Sequence, residues 1–295
     1  MARRKKFDLL KAIGIAVFVA VGILSYLYSN GYIGTNNQTS ADTYVDFIDC
    51  GQGDSTLIVS DGCATLIDAT TGKDAQKVVE HLKGRNIKKI DHFILTHPHE
   101  DHIGGAEVIL DTFEVETIHM RRPTKGTEPT TKVYLNLLKK IKSLGKTVHA
   151  VDAEDLFESG EWSFKVFGPL KDYEDLNDQS VVLKGTYQGV SILLTGDMES
   201  AVEKDLCEAY GDDLKSTILK VGHHGSKTSS SAIFLKAVSP QYGVISCEAG
   251  NSYGHPHKEA LNRLKKHNVE ILRTDLDGTV TLITDGRNVW QGEES

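Results

Sequence analysis

The sequence predicts an α/β fold, and its pattern is compatible with two β-sheets packed face to face with helices on the outside. Two observations lead there. Apolar runs of strand length alternate with stretches of helical periodicity from residue 44 to residue 283. They divide into two halves of comparable size, strands first and then mixed strand and helix, without a tandem repeat.

The first half opens with three apolar runs, 44–48, 56–59 and 65–67. Asp61-Gly62 between the last two is a hairpin signal, because both residues tolerate the positive φ of a tight turn. Gly51-Gln52-Gly53-Asp54 forms a loop between the first two, with Asp54 either supporting a ligand or capping the turn. Residues 74–83 place Ala75, Val78, Val79 and Leu82 at helical spacing, with Asp74 as the expected N-cap. A strand over 91–96, an amphipathic run over 106–110 and a strand over 116–120 follow, then the basic loop Arg121-Arg122-Pro123-Thr124-Lys125-Gly126. Residues 133–144 read as a helix with Leu135, Leu138, Ile141 and Leu144 inward.

In the second half, strands are expected at 147–151 and 162–167, separated by a solvated acidic turn over 152–161. A hairpin spans 180–187 and 190–194 around Gln188-Gly189. Helices at 199–210, 231–238 and 258–267 alternate with strands at 217–221, 243–246, 269–273 and 279–283, the last two joined at Asp277-Gly278.

The chain of 295 residues is 39% hydrophobic and 25% charged, ordinary for a packed globular domain. Its net charge of −8 argues against a general polyanion-binding surface, though not against a local basic groove. Arg3, Arg4, Lys5 and Lys6 precede an apolar run over 13–27 that, with its apolar neighbours, nears the ~20 residues needed to span a bilayer. No small-x-small cleavage site follows it cleanly, so 1–30 is expected to be an uncleaved single-pass signal anchor, a secreted chain being the alternative. Residues 31–42 are a Gly/Asn/Thr/Ser-rich linker, and 43–290 form the remaining domain, outside the membrane in either case. Cys50, Cys63, Cys207 and Cys247 form no C-x-x-C pair, so a thiolate metal site is not indicated. Cys50 and Cys63 lie on neighbouring expected strands, and both a disulfide and free thiols remain open for them.

Seven of the twelve histidines fall into three clusters: His97, His99 and His102; His223 and His224; His255 and His257. Three imidazoles and two carboxylates occupy the six residues from His97 to His102, a donor set that suits divalent metal ions rather than an apolar core. The spacing lets His97 and His99 face one ion while Asp101 and His102 face a second. Asp197 follows a strand and a glycine, and is placed to reach a neighbouring loop.

The stretch His97-Pro98-His99-Glu100-Asp101-His102-Ile103-Gly104-Gly105 resembles the H-x-H-x-D-H-x-G-G signature of metallo-β-lactamase-fold hydrolases. Asp49-Cys50-Gly51-Gln52-Gly53-Asp54, Leu194-Thr195-Gly196-Asp197, Lys220-Val221-Gly222-His223-His224-Gly225-Ser226 and Tyr253-Gly254-His255-Pro256-His257 narrow the likeness to the hydrolase domain of the ComEC competence family, as a stand-alone protein. Secreted phosphorylcholine esterases share this domain. The resemblance covers about residues 44–284 and implies a four-layer αβ/βα sandwich with two divalent ions, zinc or manganese, at one edge.

It further implies His97, His99, Asp101, His102, Asp197 and His223 as metal ligands, with Asp197 bridging. His224 would point elsewhere on a strand, and is left to hydrogen-bond substrate or to bind metal where the strand has ended. His255 is a substrate-positioning or proton-transfer residue and a rival for the last ligand; His257 is placed to cap the next helix. Asp101, His224 and His255 are thus the catalytic candidates, and Ser226 and Lys227 lie where they could contact a phosphate. Many relatives carry a histidine where this chain has Asn177-Asp178-Gln179-Ser180. Asn177, Asp178 or water takes that role, and the more oxygen-rich site leans towards Mn²⁺. The expected activity is phosphodiester hydrolysis, on DNA outside the membrane, with a small phosphoester as the alternative; β-lactam hydrolysis and a non-enzymatic binding module are disfavoured. No obligate protein partner is inferred.

Overall fold

The structure, a computed structural model, describes residues 43–123, 126 and 128–292. The expected anchor (1–30) and linker (31–42) lie outside the described residues, and among the described residues no helix is long and apolar enough to cross a membrane.

One sheet has eight strands: β1 (Thr43–Phe47), β2 (Thr56–Ser60), β3 (Cys63–Ile67), β4 (Lys89–Leu95), β5 (Glu114–Met120), β6 (Val148–Ala150), β14 (Val280–Thr284) and β15 (Val289–Gln291), in the order β15-β14-β1-β2-β3-β4-β5-β6. The other has seven: β7 (Leu156–Ser159), β8 (Trp162–Gly168), β9 (Val182–Tyr187), β10 (Val190–Leu194), β11 (Ile218–Lys220), β12 (Tyr242–Ile245) and β13 (Glu270–Arg273), in the order β13-β12-β11-β10-β9-β8-β7. Pairing from β3 to β6 and from β10 to β13 is parallel, so helices must carry the chain back across the outer faces.

Strand alternation separates the cores. On β1, Val45 and Phe47 point between the sheets, where they join Ile58, Ile94, Trp162, Phe164, Ile192 and Val244. A second core lies beneath the helices Ala75–Gly84, Ala106–Thr112 and Lys132–Ser143. A third lies beneath Ser200–Tyr210, Ala232–Val238 and Lys258–Lys266. These layers are the expected sandwich. Asp46, on the outward side of β1, is fully buried, and its carboxylate accepts hydrogen bonds from Arg85 (2.7 and 2.9 Å) and Thr281 and meets the His81 ring at 2.7 Å. Burial opposes its charge, but His81 and Arg85 outweigh burial and hold its pKa below the usual carboxylate value.

Several elements differ from the expectations. The acidic stretch 152–161 contains edge strand β7, whose Phe157 packs on the inter-sheet core. The helix Lys132–Ser143 buries Tyr134, Leu137 and Ile141, while Leu135, Leu138 and Leu144 are 44%, 37% and 41% exposed. Two adjacent stripes satisfied helical spacing there, and packing against the sheet selected the one carrying Tyr134. Asp74 makes no side-chain cap; its carboxylate instead pairs with Lys77 at 3.0 Å. All four cysteines are free thiols, Cys50 and Cys247 being buried.

Candidate metal centre

Three turns converge, each leaving the end of a parallel strand. The first follows β4 and carries His97 to His102, with Glu100–Ile103 as one helical turn. The second follows β10 and carries Asp197. Gly196, at φ +50°, is required here: a Cβ would lie 2.8 Å from Ser180 and 3.1 Å from Thr96. The third follows β11, which has already ended at Lys220, so strand alternation no longer governs His223 and His224. Both adopt left-handed backbone, φ/ψ 48°/50° and 52°/27°, in the tight turn Gly222–Gly225. This conformation brings both rings to the centre.

Asp101, His102, Asp197 and His224 offer ligand atoms that all lie within 4.8 Å of one another. His224 Nε2 is 3.3 Å from Asp101 Oδ2 and 3.5 Å from Asp197 Oδ2, and His102 Nε2 is 3.3 Å from Asp197 Oδ1. His97 Nε2 and His223 Nε2 approach the same Asp197 oxygen, Oδ2, at 4.0 and 3.8 Å. His97 Nε2 and His99 Nδ1 are 3.1 Å apart; two nitrogens each ~2.1 Å from one ion at a tetrahedral angle lie roughly 3.4 Å apart. Three buried atoms at the centre, His102 Nε2, Asp197 Oδ1 and His224 Nε2, lack a hydrogen-bond partner. Leaving such groups unpaired is costly, and a divalent cation would satisfy all of them. The donor set therefore fits.

The opposite edge of each ring is anchored. His102 Nδ1 meets Asp68 Oδ2 at 2.7 Å, and Asp68 also accepts the Thr96 backbone N–H (2.8 Å) and hydroxyl (2.7 Å). His224 Nδ1 donates to the Ser246 carbonyl at 2.9 Å, which leaves Nε2 as the donor atom for a metal. His223 Nδ1 lies 3.1 Å from Glu199 Oε1, which accepts from the Thr228 hydroxyl too. The Asp197 backbone N–H donates to Ser180 Oγ at 3.0 Å.

Electrostatics follows this packing. Burial opposes charge on His102, but Asp197 and Asp68 outweigh it and raise the pKa well above the usual histidine value. Burial, with His102 adding repulsion, holds His97 well below that value. Asp197 would be raised by burial, yet His102 and His224 keep it well below the carboxylate range. His255 is pushed down to about 4 by burial and by His224 and His223; its ring lies 5.5 Å from His223 and 6.1 Å from His224, centroid to centroid.

The remaining candidates are placed differently. Asp178 Oδ1 accepts the Glu199 backbone N–H at 2.8 Å, a role at the start of the helix Ser200–Tyr210. Asn177 Oδ1 is buried without a partner. Ser226 is buried, its hydroxyl 2.8 Å from Thr228 Oγ1, whereas Lys227 is exposed at the rim. His257 makes no side-chain cap; its Nδ1 accepts the Lys227 backbone N–H. Arg121 is held by the Pro169 and Lys171 carbonyls and by Asp172. Asp68, Glu199, Ser180 and Lys220 were not anticipated. A carboxylate directly after a buried strand was the available signal for Asp68, and Lys220 stood in a family-like motif without a role of its own; Glu199 and Ser180 carried none.

Residues 48–249 match the Metallo-beta-lactamase superfamily. Among curated proteins, ComE operon protein 3 of Bacillus subtilis is 30% identical over 260 residues, 82% of this chain and 33% of its own. Competence protein ComA of Neisseria gonorrhoeae is 32% identical over 233 residues, 79% of this chain and 31% of its own. The chain thus spans about a third of the length of these relatives. Among solved structures, CmlA, a diiron beta-hydroxylase from Streptomyces venezuelae, superimposes with TM-score 0.57 at 14% identity, over 82% of this chain and 54% of that one. YhfI from Bacillus subtilis superimposes with TM-score 0.50 at 12% identity, over 85% and 100%. Such identities establish shared fold alone. The superfamily match runs from the end of β1 past the last ligand-bearing turn of the other sheet: the chain belongs to the metallo-beta-lactamase superfamily.

Proposed function

We propose that the protein is a phosphodiesterase that uses two divalent ions and acts on DNA. The observation that carries this reading is the sharing of one buried carboxylate, Asp197, among His97, His102, His223 and His224. Asp101, His102, Asp197 and His224 would hold one ion; His97, His99 and His223, with Asp197 shared, would hold the other. On this assignment His223 supplies the donor that the stretch 177–180 lacks, and His224 is the last ligand of the second ion. Two ions at such a site would lower the pKa of a water and neutralise charge on a phosphate.

The chain's own residues do the rest. Asp101 accepts a hydrogen bond from the attacking water and orients it for in-line attack. With Nδ1 on the Ser246 carbonyl and Nε2 assigned to an ion, His224 would not be the proton donor. His255 offers its ring N–H to a phosphate oxygen, and Lys227 approaches from the rim. DNA as substrate is supported by 30–32% identity to proteins named for competence and for the ComE operon. A small phosphoester is the second reading, favoured by the net charge of −8. We propose a location outside the cell membrane, held by residues 1–30, on the strength of the basic segment before the apolar run.

The test incubates the purified chain with Mn²⁺ or Zn²⁺ and labelled single- and double-stranded DNA beside a chromogenic phosphodiester. His99→Ala and Asp101→Ala are expected to abolish cleavage with circular dichroism unchanged. Cleavage of the small diester alone moves the assignment to the second reading; cleavage retained in both variants refutes the proposed centre.

A further inference from the structure

Beside the centre sits a buried lysine that the reaction does not use. Lys220 ends β11 and is 1% exposed. Its ammonium lies 2.6 Å from Asp54 Oδ2 and donates to the Val221 carbonyl at 3.2 Å. Asp54 is buried as well, and its Oδ1 has no partner. A buried ammonium is costly unless something holds it, and here a carboxylate from the loop between β1 and β2 does.

The pair touches all three ligand-bearing turns. The Asp54 backbone N–H donates to the Asp101 carbonyl at 3.0 Å, and Asp54, Asp68 and His102 present ligand atoms within 4.8 Å of one another. The Lys220 carbonyl accepts the Thr195 hydroxyl at 2.8 Å, two residues before Asp197. Lys220 itself precedes the Gly222–Gly225 turn that carries His223 and His224. Close packing leaves the Asp54 loop little freedom: a Cβ at Gly53 would stand 2.7 Å from the Asp101 carbonyl oxygen.

We propose that Lys220 is a positioning residue, a resident cation that spans the two sheets through Asp54. It balances buried carboxylates before ions enter, and so keeps the three turns assembled in the ion-free protein. The inference rests on the two-ion reading above.

The experiment compares thermal melting of the full chain after chelation and again with Mn²⁺ added. Lys220→Met removes the charge at similar length. Ion-free Lys220→Met is expected to melt about 10 °C below wild type, since it strands a buried carboxylate. Asp54→Asn combined with Lys220→Met should recover at least half of that loss, because neither buried charge then remains. Mn²⁺ should raise the melting temperature of Lys220→Met by roughly 5 °C more than that of wild type, a dication replacing the missing charge. A packing role alone would leave the Mn²⁺ increment unchanged. Wild-type melting in ion-free Lys220→Met, an unchanged or smaller Mn²⁺ increment, or no recovery in the double variant would each overturn the proposal. Should Lys220→Met fold only with Mn²⁺ present, the proposal stands; should it fail to fold under either condition while the double variant folds no better, it falls. No Mn²⁺ increment in wild type would instead overturn the two-ion reading.

Discussion

Asp68 shows what a single residue outside the ligand set can control. It fixes the tautomer and rotation of His102 through Nδ1, and is itself fixed by two hydrogen bonds from Thr96. Asp68→Asn keeps the shape but loses the charge that favours an N–H on Nδ1. The expected result is a 10–100-fold loss of Mn²⁺ affinity, read by calorimetric titration, with the fold retained. Unchanged affinity would remove Asp68 from the centre. At this scale the histidines were legible because three of them share six residues. Their partners were less so, since the contacts of His102 with Asp68 and of His223 with Glu199 join positions 34 and 24 residues apart.

At the scale of elements, most strands and helices are readable because their apolar residues repeat with period two or near 3.6. The helix Lys132–Ser143 marks where that reading stops. Leu137 is fully buried and Leu135 is 44% exposed, yet both belong to plausible stripes. Leu137→Ala should cost about 2–5 kcal/mol in urea unfolding, whereas Leu135→Ala should change stability by less than about 0.5 kcal/mol. Equal losses would mean that both stripes pack. The turn Gly222–Gly225 is the second such place. A strand ending at Lys220 instead of continuing decides that His223 and His224 both reach Asp197, and a local sequence window does not contain that information.

At the scale of the whole molecule, the two sheets also meet away from the metal centre, through aromatic and histidine rings. His119 stacks on Phe157 of β7, His92 lies 2.9 Å from His119, and the other nitrogen of His92 meets the Glu158 carbonyl at 3.0 Å. Burial, and then His92 and His149, push the His119 pKa down to about 4. The folded protein therefore prefers this ring neutral, while the unfolded chain protonates it near the ordinary value. Stability is unaffected by His119 above about pH 6.5 and falls as pH drops from there to about 4, by about 3 kcal/mol in all. Melting temperature against pH checks this: His119→Leu should flatten the slope in that window, and an unchanged slope would contradict it.

The sequence by itself determined where the metal-type donors cluster, at His97 to His102, and where most strands and helices lie. These follow from local chemistry: donor-rich motifs and apolar periodicity are properties of neighbouring residues. Only the tertiary structure decided that His223 and His224 both approach Asp197, which face of Lys132–Ser143 is buried, and that Lys220 pairs with Asp54. Those outcomes depend on contacts between segments far apart in the chain, formed only when both sheets close over a common core.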